Sequence, residues 1–330
     1  MFIIPSYTLA VLFCVVTMLC WGSWGNTQKL AASNWRFELF YWDYVIGVLL
    51  LSLLLAFTLG SMGEGGRSFL PDLQQVDRSN LYSALLGGVI FNLSNILLSA
   101  AISIAGMSVA FPVGVGLALA IGVVVNYLDL PVGNPVLIFG GVALIVLAIA
   151  LNAQAYRKLA QTLNVSVKGL ILAVVSGCLM GYFYKYVAAS MFTDFSVPEP
   201  GKLSPYTAVV VFSVGIFLSN FVFNTFLMFR PFVGCPVTYR DYFQGSLRSH
   251  LMGILGGAIW CLGMSFSIIA SDKAGTAISY GLGQGATVVA ALWGIYVWRE
   301  FRNAPKGTYT LLNLMLFFYV LGLSLLIGAR

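Results

Sequence analysis

The sequence predicts an all-α membrane protein with ten transmembrane helices, arranged as two inverted five-helix repeats. Three observations carry this. Of 330 residues, 59% are hydrophobic and only 8% charged, where a soluble domain has about 25% charged residues. The mean hydropathy is +0.92, and the apolar residues fall in runs of about 20, the length of one bilayer crossing. The stretch LGGVIFNLSN at 86–95 returns as LGGAIWCLGM at 255–264, which marks a repeat. A five-span repeat has an odd number of crossings, so its second copy enters the membrane upside down. Such inverted repeats are a signature of secondary transporters.

The spans, in chain order, are 6–30, 38–60, 80–103, 107–128, 134–155, 168–192, 206–230, 249–271, 275–298 and 307–328. The first has no basic stretch before its apolar run, so it reads as an uncleaved span and not a signal peptide. Its end carries Trp21, Trp24, Asn26, Gln28 and Lys29. Rings beside amides can sandwich a flat or ring-shaped solute, or form an interfacial belt with a snorkelling lysine. The second span holds Asp43 in FYWDYVIG. A charge at mid-membrane costs about 2.5–3.5 kcal/mol, so such a residue defaults to function. Asp43 is the candidate proton or cation site, and the similar stretch Tyr206-Thr-Ala has Ala208 in its place.

The third span puts Asn92, Asn95, Ser99 and Ser103 on one helical stripe. The fourth is apolar, with Phe111, Val115 and Ala118 at the positions that matter below, and the fifth closes the first half. Residues 1–155 thus form the first repeat, 156–168 a short basic connection and 169–330 the second repeat. In the sixth span Tyr182, Tyr184 and Tyr186 surround Lys185, an intramembrane cation that is a second candidate for proton coupling or a partner for Asp43. The seventh has Asn220 and Asn224 four apart. The eighth repeats the third with Cys261, Met264 and Ile268 where the third has Asn92, Asn95 and Ser99. The ninth places Tyr280, Gln284 and Thr287 on one face, against Phe111, Val115 and Ala118 in the fourth. The tenth, 307–328, ends the second repeat.

Residues common to both copies read as scaffold, and polar residues in one copy only read as site candidates. Each half then supplies one polar stripe, on different helices of the pair, as an asymmetric shared pocket requires. The competing reading is interhelical glue, since polar side chains bond across membrane helices for about 0.6 kcal/mol each on average.

No catalytic constellation is visible in the sequence. His250 is the one histidine, so no His-based metal site or triad can form. None of the cysteines at 14, 20, 178, 235 and 261 makes a CxxC, and GxGxxG, P-loop and HExxH motifs are lacking. No enzyme activity, cofactor, metal or nucleic-acid partner is expected. The net charge of +6 reads as topology. Lys29, Arg36, Arg157, Lys158, Lys168, Arg230, Arg240, Arg248, Arg299, Arg302 and Lys306 lie on one side. Arg67, Arg78, Lys202, Lys273 and Arg330 lie on the other. The positive-inside rule then puts 156–168 in the cytoplasm and both termini outside.

WGSW (21–24), YWDY (41–44), AFTLGSMG (56–63) and LLGGVIFNLSN resemble the ureide permease family of the drug/metabolite transporter superfamily. So do KLSPYTAVVVFSV (202–214), PFVGCPVTYRDYF (231–243) and LWGIYVWREFRNAPKGTY (292–309). The resemblance runs over most of the chain and implies ten helices working by alternating access. Plant members look like proton-coupled importers of allantoin and related oxo-purines or pyrimidines, and sister bacterial families take up rhamnose or glucose. The plant proteins carry a long central loop with a nucleotide-binding-like motif. Residues 156–168 are too short for it, so the chain looks like a compact bacterial-type member.

The expected function is therefore an inner-membrane (plasma-membrane) secondary transporter importing a small neutral polar solute, a ureide, nucleobase or sugar, with a proton or sodium as coupling ion. A drug or metabolite exporter and a channel are the other classes. The candidate solute ligands are Asn92, Asn95, Ser99, Tyr280, Gln284, Thr287, Trp24 and Asn26, with Asp43 and Lys185 for proton coupling.

Overall fold

The computed structural model describes residues 1–32, 34–105, 107–160, 166–299 and 301–330. The side chains of Ser103 and Phe111, and residues 161–165 of the predicted central connection, lie outside what is described. The helices are α1 (Tyr7–Ser23), α2 (Asn26–Leu30), α3 (Phe37–Phe57), α4 (Phe69–Gln75), α5 (Arg78–Ala105), α6 (Met107–Asp129) and α7 (Pro135–Ala160). They continue as α8 (Val167–Ala189), α9 (Pro205–Phe229), α10 (Tyr239–Phe243), α11 (Leu247–Ala274), α12 (Thr276–Gly283), α13 (Ala286–Leu292) and α14 (Thr308–Ile327). A π-helical turn, Trp293–Val297, extends α13. Among the described residues, eight helical segments are long and apolar enough to cross a membrane. Two shorter apolar helices, Tyr7–Ser23 and Val113–Asp129, lie where the first and fourth spans are expected.

Local chemistry sets the helix starts. The hydroxyls of Ser6, Ser166, Ser204 and Ser246 accept from backbone N–H groups in the first turns of α1, α8, α9 and α11. Pro205 at the first position of α9 donates nothing that the helix needs. Thr238 and Asp241 form a capping box on α10.

The helix pairings come in matched sets. α5 packs on α8 and α9, while α11 packs on α1 and α3. α6 lies on α8 as α12 and α13 lie on α1. α3 meets α9, α6 meets α12, and α7 meets α14. Exchanging first-half for second-half helices maps this set onto itself. Glycines carry the close approaches. A Cβ on Gly88 would overlap the Phe212 carbonyl oxygen of α9, and one on Gly257 would overlap the Tyr44 carbonyl oxygen of α3. Reciprocally, Gly215 faces the Leu85 carbonyl and Gly47 the Ile254 carbonyl. With Gly47 and Gly215 equivalent, Val211 and not Ala208 occupies the place of Asp43; either way the second half has no acid there.

Spans 1 and 9, expected as continuous, are broken. α1 stops at Ser23 and α2 starts after Gly25; α12 stops at Gly283 and α13 starts after Gly285. Side chains bond backbone carbonyls at each break. Asn26 Nδ2 donates to Ser23 O (3.0 Å), Thr27 Oγ1 to Trp24 O (2.7 Å) and Thr287 Oγ1 to Gln284 O (3.2 Å). Irregular backbone at membrane depth is tolerated where it lines a cavity, and both breaks line one.

Candidate solute cavity

The cavity lies between the two halves and has two joined lobes. The inner lobe, about 100 Å³, is walled by Trp21, Trp24, Phe91, Phe183 and Trp260, with Asn95, Gln284 and Thr287 as polar lining. The outer lobe, about 370 Å³, shares Trp21, Trp24, Asn95 and Thr287 and adds Asn26, Gln28, Lys29, Ser99, Asn152, Trp293 and Trp298. Its size falls in the roughly 300–1,000 Å³ range of small-molecule sites. It opens at the end of the bundle formed by α2 and by the C-terminal ends of α5, α7 and α13.

The wall is braced from behind. Trp21 Nε1 donates to Trp260 O (3.2 Å), Trp293 Nε1 to Ser23 Oγ (2.9 Å) and Trp298 Nε1 to Asn26 Oδ1 (2.7 Å). Lys29 Nζ sits 4.6 Å above the Trp298 ring. Trp21 and Trp260 stack at 6.0 Å, Phe91 and Trp260 meet at 4.4 Å, and Trp24 packs on Tyr44 at 4.8 Å. Rings thereby present flat apolar faces, and amides present a few polar atoms at the edges.

The predicted solute ligands divide. Asn95, Ser99, Gln284, Thr287, Trp24 and Asn26 all line the cavity. Asn26 is committed on both sides, to Ser23 and Trp298, and Thr287 Oγ1 also bonds the Tyr319 hydroxyl. Asn92 and Tyr280, expected as solute ligands, are not among the residues that line it. Asn92 is fully buried; its Nδ2 donates to Ser219 Oγ (2.9 Å) and Ile216 O (3.3 Å), and its Oδ1 accepts from Tyr41 (3.0 Å). It ties α3, α5 and α9 together. Tyr280 is likewise buried, its hydroxyl shared between Ala118 O (3.2 Å) and Met180 O (3.1 Å).

Asp43 does not line the cavity; it packs against Gly253 of α11. Its carboxylate faces His250 Nδ1 (2.9 and 3.0 Å) and accepts from the Tyr242 hydroxyl (2.7 Å). Burial, with the Asp43 carboxylate beside it, holds the Tyr242 phenol above its ordinary range, so it is protonated and donates. Lys185 is not with Asp43. It pairs with Asp129 at 2.8 Å, both side chains more than a third exposed, in a second hollow of about 400 Å³ at the opposite end.

A neutral layer separates that hollow from the inner lobe. The Tyr184 hydroxyl meets Ser267 O and Oγ (both 3.2 Å) and Ser279 Oγ (3.4 Å), and Tyr280 bridges to α6 and α8 as above. Along α8 the order is Phe183 in the lobe, Tyr184 in the layer, Lys185 in the hollow; along α12 it is Gln284 just past the helix end, Tyr280, then Thr276.

Sequence reasoning missed Phe91 and Trp260 as lining. They are repeat-equivalent, so a rule that assigns shared positions to scaffold sets them aside, yet they touch at the floor of the inner lobe. It also missed His250, for which a single sequence gives no sign of contact with Asp43.

A family model described as ureide permease matches residues 40–164 and 156–329. Similar curated proteins include Ureide permease 1 of Arabidopsis thaliana, 23% identical with 100% of this chain and 99% of that protein covered. Ureide permease 4 of the same plant is 23% identical, with the same coverage. Probable ureide permease A3 of Vigna unguiculata is 21% identical over 82% of this chain and 89% of its own. A solved crystal structure overlays with a TM-score of 0.64 at 15% identity, covering 96% of both chains, which speaks to the fold alone.

Proposed function

This chain belongs to the ureide permease family, and from that premise we propose that it is a proton-coupled secondary transporter of ring-shaped, neutral, polar solutes of the ureide or nucleobase type. The carrying observation is the cavity between the halves, where tryptophan faces flank the amides of Asn95 and Gln284. Flat rings stack on such walls, and their N–H and C=O edges match carboxamides. The names of the similar plant proteins support the same solute class.

On this reading the chain crosses the membrane ten times, as two inverted five-helix repeats of the drug/metabolite transporter type, and works by alternating access. The self-mapping set of helix pairings and the reciprocal glycine contacts support the inverted repeat. The cavity opens on the side bearing Arg157, Lys158, Arg299 and Arg302, which the charge bias assigns to the cytoplasm of a plasma membrane, so both termini face outward. Proton coupling rests on Asp43, a carboxylate held by a histidine and a tyrosine and next in sequence to Tyr44, which packs on the cavity-wall ring of Trp24. Lys185, paired with Asp129 at the opposite end, has no part in that cluster.

The test is thermal shift of the purified protein against allantoin, uracil, hydantoin and glucose, followed by uptake into proteoliposomes. A bound solute at one hundred times its Kd stabilises by about 2.7 kcal/mol. Selective stabilisation by the ring solutes supports the proposal, and stabilisation by glucose alone refutes the solute class. Undiminished uphill uptake by Asp43→Asn under a pH gradient refutes the coupling role.

A further inference from the structure

We infer that Tyr41 is a positioning residue that holds the Asn95 carboxamide with its oxygen toward the cavity, so that the site takes a solute N–H at this point. The inference rests on the proposed ring-solute reading and adds the polarity of one contact.

The direction follows from a chain of hydrogen bonds with one fixed end. The Ile216 carbonyl on α9 can only accept. Asn92 therefore turns Nδ2 toward it and toward Ser219 Oγ. That leaves Asn92 Oδ1 facing Tyr41, and a phenol has a single proton, which goes to this oxygen. The Tyr41 oxygen can then only accept on its other side. Asn95 stands there at 3.1 Å and must present Nδ2. Its Oδ1 is left over, with no bond to it among the described residues; it is not one of the fully buried unpartnered atoms, as an oxygen open to the lobes that Asn95 lines would not be. Amide orientation is decided by the network it joins, and this network is decided by a backbone carbonyl three links away.

Asn92, Tyr41 and their partners are buried, so water does not compete for the chain. Ser99 Oγ bonds the backbone oxygen of Asn95 (2.9 Å). A solute N–H meeting Oδ1 makes a hydrogen bond; an N-methyl group there leaves the acceptor unpaired and adds bulk.

The experiment measures binding of hydantoin and uracil, and of each methylated at one ring nitrogen in turn, to the detergent-purified protein. The wild type is expected to bind the parent rings, and to lose at least about tenfold, or about 1.4 kcal/mol, for one methyl isomer of a ring. In Tyr41→Phe the amide is free to turn, and that preference falls to within about threefold. Ser219→Ala keeps the full preference, because Ile216 O still orients Asn92. Adding Asn95→Asp to Tyr41→Phe restores it, since a carboxylate shows oxygen however it turns. Should Tyr41→Phe fail to fold, Asn95→Ala is expected to lose the preference. Equal binding of parent and methylated rings by the wild type, or a full preference in Tyr41→Phe or Asn95→Ala, overturns this inference and leaves the solute class standing. Failure to bind any ring overturns both.

Discussion

Gly25 offers the sharpest separation of stability from function. It sits in the break between α1 and α2 with φ −62° and ψ −20°, a conformation that any L-residue adopts. A Cβ built there meets nothing within 4 Å, because it projects into the outer lobe that Gly25 borders. Gly25→Ala therefore restricts the unfolded chain without strain in the folded one, and is expected to stabilise by about 0.4–1 kcal/mol. The same methyl takes up space in the proposed solute cavity, so affinity is expected to fall about fivefold, or about 1 kcal/mol. Gly88→Ala and Gly257→Ala are the controls. Their methyls meet backbone oxygens of facing helices, which no rotamer change relieves, so each is expected to destabilise by about 1–3 kcal/mol. The assay is the unfolding midpoint in detergent, with and without a ring solute. A lower midpoint for Gly25→Ala without solute, or unchanged solute affinity, refutes the assignment of Gly25 to an open cavity wall.

Two ion pairs should differ widely in what their loss costs. Asp72 is fully buried, bound to Arg67 Nη1 (3.0 Å) and to the Ser204 backbone N–H (2.7 Å); Arg67→Met strands its charge and should cost about 3–5 kcal/mol in denaturation experiments. Lys185→Met breaks an exposed pair and should change stability by less than about 1 kcal/mol, an effect that added salt erases. Tyr280→Phe removes one interhelical hydrogen bond and should lower stability by about 0.6 kcal/mol, while an equilibrium binding assay finds ring-solute affinity within about twofold of wild type.

Much of this arrangement is legible in the sequence, and the rest fails for identifiable reasons. The repeat at 86–95 and 255–264 correctly marks Gly88 and Gly257 as packing positions, because close backbone approach leaves no choice of residue. It cannot separate Asn92 from Asn95. Three residues apart on a helix means about 60° around the axis, which places both on one broad face. Yet that face spans the junction between α9 and the cavity, so one amide meets Ser219 and the other meets open space. Lys185 reads as intramembrane because it follows a long apolar run, and the structure puts it at the exposed end of α8. Asp43 reads correctly as a buried acid. Its partner His250 lies over two hundred positions away on α11, and no periodicity within one segment reports a contact between halves.

The layer of tyrosines and serines that closes the inner lobe is made wholly of neutral groups. If this layer is the door of an alternating-access cycle, its strength sets the equilibrium between inward-open and outward-open forms. Neutral hydrogen bonds between membrane helices are worth about 0.6 kcal/mol each, so the few bonds that Tyr184 and Tyr280 make across α8, α11 and α6 amount to a few kcal/mol at most. Ligand binding at concentrations well above Kd supplies free energy of the same size. A salt-bridged door of buried charges would hold far harder and respond to ionic strength. A door of this kind is weak enough to be tipped by a ligand that binds one form more tightly than the other, and indifferent to the salt on either side.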